Sequence, residues 1–243
     1  MKWLDDSIKY LHLKKCESTQ ELIQSIESGW FLIWSDAQGS GHGTRGREWV
    51  SPPGGLYYSL AFPTHTTTAA DPMIPLGAAL VWKRLLSDLF PTEATDLSLK
   101  WPNDLLHKGR KLGGFLANKH SGMFYVGVGI NVNNPLDETD GDLRRPPVSL
   151  LELTGDHQDR TELLLRWSNR FQQAVSTTSR EVFDADRIEE HLSTIGKSIR
   201  LENGTGQAIG LGENGELKVM VNEEALSVYS GDDVEVLNNE AGR

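Results

Sequence analysis

The sequence is poor in cysteine, in long apolar runs and in positive charge. Cys16 is the single cysteine among 243 residues, so no disulfide can close within the chain, and a reducing compartment, the cytoplasm, is the expectation. No apolar stretch approaches the ~20 residues that cross a bilayer as a helix. The opening Met1-Lys2-Trp3-Leu4-Asp5-Asp6 places acids where a signal peptide would begin its apolar core. No membrane partner is therefore expected. Lysine and arginine number 24 against 34 acids, for a net charge of −10. A basic stripe of the kind that grips nucleic acid is missing. The seven histidines show no metal-ligand spacing. No Gly-x-x-x-x-Gly-Lys-Ser/Thr run occurs, which excludes a P-loop. Internal repeats and low-complexity tracts are absent as well.

What remains is an ordinary globular composition, 38% hydrophobic and 24% charged. The length suits one medium domain and a small one. Ser18-Thr19-Gln20-Glu21 has the form of a capping box and predicts a helix over 19–28. Short strands are predicted over 31–34 and 56–62, then a helix over 74–90 with Leu76, Leu80, Leu85 and Leu89 on its apolar side. A strand at 97–100 enters a turn at Pro102-Asn103, and strands follow over 111–118 and 123–132. Glycines 127 and 129 inside the latter suggest close approach of a ligand or another backbone. The acidic, proline-rich stretch 134–147 reads as a surface loop. Ser149-Leu150-Leu151-Glu152 forms a second capping box, and Leu164, Trp167, Phe171 and Ala174 mark an amphipathic helix from Thr161. A further helix is predicted over 185–194. From residue 195 the texture changes to short strands with an Asn214-Gly215 hairpin turn, a small β module of barrel-like kind.

Residues 37–55 are rich in glycine and carry Pro52 and Pro53, and loops of that length in a compact domain are usually functional or disordered. Gly41-His42-Gly43-Thr44-Arg45-Gly46 fits the Gly-x-Gly-x-x-Gly pattern of dinucleotide-binding folds. That reading needs a helix next, and Pro52-Pro53-Gly54-Gly55 prevents one, so it is rejected. The loop is left with backbone N–H groups and the guanidinium forks of Arg45 and Arg47, which suit phosphate oxygens. Trp49 offers an aromatic face for a purine. The plainer reading, a flexible loop with solvated arginines, stays open on the pattern alone.

Lys100-Trp101-Pro102-Asn103-Asp104-Leu105, followed by Arg110-Lys111-Leu112-Gly113-Gly114-Phe115-Leu116, is more specific. It resembles the central signature of biotin protein ligases. The resemblance covers nearly the whole chain. Ser18-Thr19-Gln20 is similar to an early Ser-Thr-Asn element, Gln38 and the glycine loop to the adenylate-binding loop, and Leu56-Tyr57-Tyr58-Ser59 to the strand after it. Val126 to Asn133 resembles the Gly-Ile-Asn-Val strand, and Gly206–Gly210, Gly215-Glu216-Leu217 and Ser230-Gly231-Asp232 resemble the C-terminal barrel.

The resemblance implies an α+β fold: a central mixed sheet packed with helices, of class II synthetase type, over 1–194, and a small SH3-like barrel over 195–243. It implies a reaction in which biotin and ATP give biotinyl-adenylate, whose acyl group passes to a lysine of a biotin carboxyl carrier protein or domain of an acetyl-CoA or related carboxylase. Lys111, Asp104 and Arg47 are the expected catalytic residues. Ser18, Thr19, Gln20, Gln38, Gly41, His42, Gly43, Thr44, Gly114 and Leu116 would meet biotin together with Lys111. Arg45, Arg47, Trp49, Asn103, Lys111 and Asn131 would meet ATP and the adenylate, and Asp104 would bind Mg²⁺ or take a proton. A homodimer is within the family's range.

The chain departs from the family's Gly-Arg-Gly-Arg loop at His42 and Thr44, so the loop carries less positive charge. It starts almost at the catalytic domain, and no DNA binding is expected. Two other readings stay open. One is an enzyme of the same superfamily that activates lipoate or another short acid. The other is a non-catalytic ligand- or carrier-binding module. Each residue also has a bland role: Ser18 a helix cap, Trp101 core, Pro102-Asn103 a turn, Lys111 a solvated strand lysine.

Overall fold

Leu56–Pro63 and Met123–Ile130 are apolar along almost their whole length and pair antiparallel from end to end. Near-continuous apolar strands belong in the middle of a sheet, covered on both faces. The computed structural model describes residues 8–136, 147–176, 181–202, 204–231 and 234–237, apart from the side chain of Arg45. In chain order the elements are β1 (Ile8–Leu13), α1 (Thr19–Ile23), β2 (Trp30–Ser35), β3 (Leu56–Pro63), α2 (Met73–Leu89), β4 (Leu97–Lys100), β5 (Asp104–His107), β6 (Arg110–His120) and β7 (Met123–Ile130). Then come α3 (Leu150–Thr154), α4 (Arg160–Ser176), α5 (Ala185–Glu189), β8 (Ser198–Leu201), β9 (Gly204–Leu211), β10 (Leu217–Val221), β11 (Glu224–Val228) and β12 (Glu235–Leu237).

The first seven strands form one mixed sheet in the order β1-β2-β3-β7-β6-β5-β4, with β1 and β2 parallel and every other pair antiparallel. The last five form an antiparallel sheet in the order β11-β10-β9-β8-β12. This is the α+β arrangement expected from the sequence.

Alternation sorts the large sheet into two faces. Leu56, Tyr58, Leu60 and Phe62 of β3, with Val126, Val128 and Ile130 of β7, join the core shared with α2 and α4. Trp82 and Trp167 anchor those helices: the Trp82 Nε1 donates to the Tyr58 hydroxyl at 2.8 Å, and the Trp167 Nε1 donates to the Ala78 carbonyl at 3.2 Å. Each aromatic thus buries its ring with its polar atom satisfied. The opposite face shows Ser59 and Ala61 on β3 and Tyr125, Gly127 and Gly129 on β7, with α1 lying over part of it. At Gly127 and Gly129 this face offers no side chain of its own.

Two predicted helices stop short. The helix predicted over 19–28 stops at Ile23, because Gln24, Ser25 and Ile26 turn back with i→i+3 bonds and Gly29 adopts φ +76°. The helix predicted over 185–194 ends at Glu189, where the edge of β4 captures the chain through Leu99 N to His191 O and Ser193 N to Leu99 O, both 2.8 Å. Strands β1 and β5 were not foreseen. β1 alternates weakly and runs into Lys14-Lys15, and β5 is four residues long between two turns. Of the second capping box the Ser149 half is present, its hydroxyl accepting from the Glu152 N–H at 3.2 Å, whereas the Glu152 carboxylate pairs with Arg110. Most of the expected 134–147 loop, and Asp232, lie outside the described residues.

The two sheets meet at Trp101, whose indole N–H donates to the Gly215 carbonyl at 2.9 Å while its backbone N–H donates to Thr194 Oγ1 at 3.0 Å. The hairpin that offers Gly215 is tied by Glu216. Burial pushes the Glu216 carboxyl up, but hydrogen bonds from Lys218 and from its own and Asn214's backbone N–H outweigh this and hold it below its ordinary value. A depressed carboxylate adds stability that is present above its unfolded pKa and lost as pH falls through the folded one. Glu216→Gln should therefore lower unfolding free energy by about 1–2 kcal/mol at neutral pH, and the gap to wild type should close as pH falls below the ordinary carboxyl range. Denaturant unfolding at pH 7 and pH 3.5 checks this, and a gap independent of pH refutes it.

Candidate functional site

A cleft of about 150 Å³ opens on the bare face of the large sheet. Its floor is glycine. Gly129 of β7 lies opposite Gly114 of β6, which lies opposite Asp104 of β5, so one row across the sheet reads Tyr57, Gly129, Gly114, Asp104. The next row reads Ser59, Gly127, Leu116. A Cβ on Gly129 would stand 2.5 Å from the indole of Trp49, and one on Gly114 would stand 2.9 Å from the same ring. The glycines let Trp49 lie against the strands. Lys111 Nζ sits 5.0 Å over that ring and 2.6 Å from Asp104 Oδ1. Lys111 lines the cleft; Asp104 does not, and it reaches the site through Lys111.

The polar end is built by α1 and the strand-like segment at Gln38. The Ser18 hydroxyl was expected to cap α1. It does not: it is buried and makes no hydrogen bond among the described residues. Glu21, its expected capping partner, instead pairs with His42 at 2.6 Å. Thr19 donates its backbone N–H to Gln38 Oε1 at 2.8 Å, and its hydroxyl lies 3.1 Å from the same oxygen and 3.0 Å from Ser59 Oγ. Ser59 gives its hydrogen to Gln20 Oε1 at 2.8 Å, and Gln20 Nε2 donates to the Tyr125 carbonyl at 3.1 Å. The Gln20 amide is thus engaged at both ends, and Gly127 leaves the space it needs, since a Cβ there would meet its oxygen at 2.5 Å. Gln38 Nε2 spends one hydrogen on Ser51 Oγ at 2.9 Å.

The inventory that results is specific. Ser18 and Thr19 present hydroxyl lone pairs with no donor assigned to them among the described residues. Gln38 keeps a second N–H. Trp49 Nε1 is buried without an acceptor among the described residues. Buried groups left unpaired in this way cost stability unless something else meets them.

The glycine loop is a narrow hairpin above the floor. Trp49 N donates to Gly41 O and Gly43 N to Arg47 O, both at 2.8 Å, and Gly46 adopts φ +66°. His42, Gly43, Thr44 and Arg47 line the cleft, whereas Gly41 packs at the base of the loop against Trp49, Ser51 and Gln38. The Arg47 guanidinium is exposed and bonded within the loop to the Thr44 carbonyl and hydroxyl at 3.3 and 3.2 Å. The side chain of Arg45 lies outside the described residues. Asn103 is pinned by Nδ2 to Phe115 O at 2.8 Å, and Asn131 accepts from Asn134 Nδ2 at 3.2 Å while donating to Lys111 O at 3.3 Å.

The structure therefore gathers Ser18, Thr19, Gln20, Gln38, His42, Gly43, Thr44, Arg47, Trp49, Asn103, Lys111, Gly114, Leu116 and Asn131 around one cleft. Sequence reading missed Ser59 and Asn134, which line it too, and Ser51 behind it. The hydroxyl pointing out of an apolar strand at Ser59 was a usable signal; nothing local marked the other two.

Comparison with known proteins places the fold and the sequence beside one family of ligases. Residues 14–133 match the model of the biotin/lipoate A/B protein ligase family. The bifunctional ligase/repressor BirA of Bacillus spizizenii is 27% identical over 228 residues, covering 89% of this chain and 69% of that protein. The biotin–[acetyl-CoA-carboxylase] ligase of Paracoccus denitrificans is 35% identical over 143 residues, 56% of this chain and 58% of that one. Among solved structures, the biotin protein ligase from Aquifex aeolicus in complex with biotin and ATP superposes with a TM-score of 0.79 at 28% identity, covering 94% of this chain and 99% of that chain. Signature and fold thus agree, and residues 14–133 carry a domain of the biotin/lipoate A/B protein ligase family.

Proposed function

We propose that this chain activates biotin with ATP to biotinyl-5'-AMP and then transfers the biotinyl group to a lysine of a carboxyl carrier protein or domain. The observation that carries the reading is the polar end of the cleft. Two hydroxyls, Ser18 and Thr19, offer acceptor lone pairs, and the Gln38 amide offers a donor. A ureido ring brings two N–H donors and one carbonyl, the complementary set. The dithiolane of lipoate brings neither, and would leave the buried groups unpaired at a cost of about 1–3 kcal/mol each.

The reacting end lies beside Lys111. Attack of the biotin carboxylate on the α-phosphorus of ATP brings anions together, and a fixed cation must offset their repulsion. Lys111, steadied by Asp104 and the Trp49 ring, supplies it. The attack forms the mixed anhydride and releases pyrophosphate. Arg47 and the loop N–H groups would contact phosphate, and Asn103 and Asn131 the phosphate or ribose. In the second step the carrier amine attacks the anhydride carbonyl and AMP leaves. That amine must first lose a proton, its free pKa being ~10.4, and Asp104 is the carboxylate at hand. Mg²⁺ would arrive on the ATP phosphates and offset their charge, with Asp104 the carboxylate that would hold it. The same reading places the protein in the cytoplasm with its carrier, an acetyl-CoA carboxylase or a related enzyme, and carries the family expectation of a homodimer.

Acid-dependent exchange of pyrophosphate into ATP tests the function directly. Biotin should support exchange and lipoate should not; exchange with lipoate alone, or with neither, defeats the proposal. Lys111→Ala should reduce the exchange rate by at least ~100-fold, with the fold intact by circular dichroism. The loop at His42 and Thr44 should hold the intermediate loosely. A His42→Arg, Thr44→Arg double variant should release biotinyl-AMP roughly tenfold more slowly; an unchanged off-rate would remove the loop from adenylate retention.

A further inference from the structure

Ser51 belongs to none of the residues that line the cleft, yet it fixes one that does. Its hydroxyl donates to the Trp49 carbonyl at 2.8 Å. That carbonyl can only accept, so the single Ser51 hydrogen is committed and its lone pairs are left for Gln38. Gln38 Nε2 donates to them at 2.9 Å. At the other end of the same amide, the Thr19 backbone N–H can only donate, and it does so to Gln38 Oε1 at 2.8 Å. The amide is therefore held between an obligate backbone donor and an obligate backbone acceptor, the second relayed through Ser51. Reversing it would set N–H against N–H at Thr19 and leave Ser51 without a donor.

The packing around this junction is close. Ser51 is only 6% exposed. A Cβ on Gly41 would stand 2.4 Å from the Trp49 carbonyl, 2.7 Å from Ser51 Oγ and 2.9 Å from Gln38 Nε2. Gly41 is thus required by the junction itself. Gln38 is held to the same partner along the main chain, its N–H donating to Ser51 O at 3.2 Å.

The geometry points to Ser51 as a positioning residue for substrate selection: it keeps the amide of Gln38 turned so that a donor, not an acceptor, faces the acid in the cleft. This rests on the biotin-activating reading above. The ligand class it selects is one with a carbonyl-type acceptor between two N–H groups, and the class it rejects carries a donor at that place.

Calorimetric titration without ATP tests this on wild type, Ser51→Ala and Ser51→Thr. The probes are biotin, dethiobiotin, which keeps the ureido carbonyl, and iminobiotin, which replaces that oxygen with a nitrogen donor. In Ser51→Ala the preference for biotin over iminobiotin should shrink by roughly threefold to tenfold, the scale of one hydrogen bond. The preference for biotin over dethiobiotin should stay within about twofold, since both present the same acceptor. Ser51→Thr, which keeps the hydroxyl, should restore the wild-type ratio. If Ser51→Ala does not fold, Ser51→Cys takes its place. Affinities for all three ligands falling together would mean a merely structural serine and overturn the inference, as would an unchanged ratio. Wild-type protein that binds none of them would instead overturn the functional reading, and the role of Ser51 with it.

Discussion

A missing side chain organises the site. On the open face of the large sheet, Gly114, Gly127 and Gly129 stand where strand residues would normally project, and each vacancy is filled by a group from elsewhere in the sequence. Trp49 lies over Gly129 and Gly114, and the Gln20 amide lies over Gly127. A strand interior pays for glycine in entropy and lost packing. Here the exchange brings an indole, an ammonium and a layer of amides and hydroxyls down to the backbone. Lys111 over the Trp49 ring, Gln38 against Thr19, and the glycine hairpin above them all rest on that floor.

The same arrangement separates two chemistries along one cleft. At one end is a network of neutral hydrogen bonds drawn from α1, β3 and the segment before the glycine loop. At the other is a single ion pair, Lys111 with Asp104. Neutral amides and hydroxyls select by pattern, because an unmatched partner leaves them unsatisfied. A fixed cation selects by charge and acts where charge develops. An acid with a distinctive polar head and a carboxylate tail spans both.

Much of this was legible in the sequence. The central strands announced themselves as apolar runs, and the Lys100-to-Leu116 signature brought Lys111, Asn103 and Gly114 to one place. What escaped did so for physical reasons. Ser18-x-x-Glu21 has the local form of a capping box, but tertiary structure claims both groups, burying the hydroxyl and drawing the carboxylate to His42. Local patterns carry no information on such competition. β1 and β5 depend on neighbours for their strand character and show little alternation of their own. Ser51 earned no notice because a serine before two prolines looks like loop punctuation, and its role is defined only by the Trp49 carbonyl and the Gln38 amide on either side.

The join at Trp101 bears on how such a chain is assembled from parts. The indole of the signature segment is received by a main-chain carbonyl at Gly215, not by a side chain. The hairpin needs φ +86° there, which glycine adopts without strain. What this contact asks of the small sheet is thus a main-chain lone pair and, behind it, the absence of a side chain: a Cβ at 215 would press on Pro72 and Met73 at 3.1 Å, so the first turn of α2 reads the hairpin on one side while Trp101 reads it on the other.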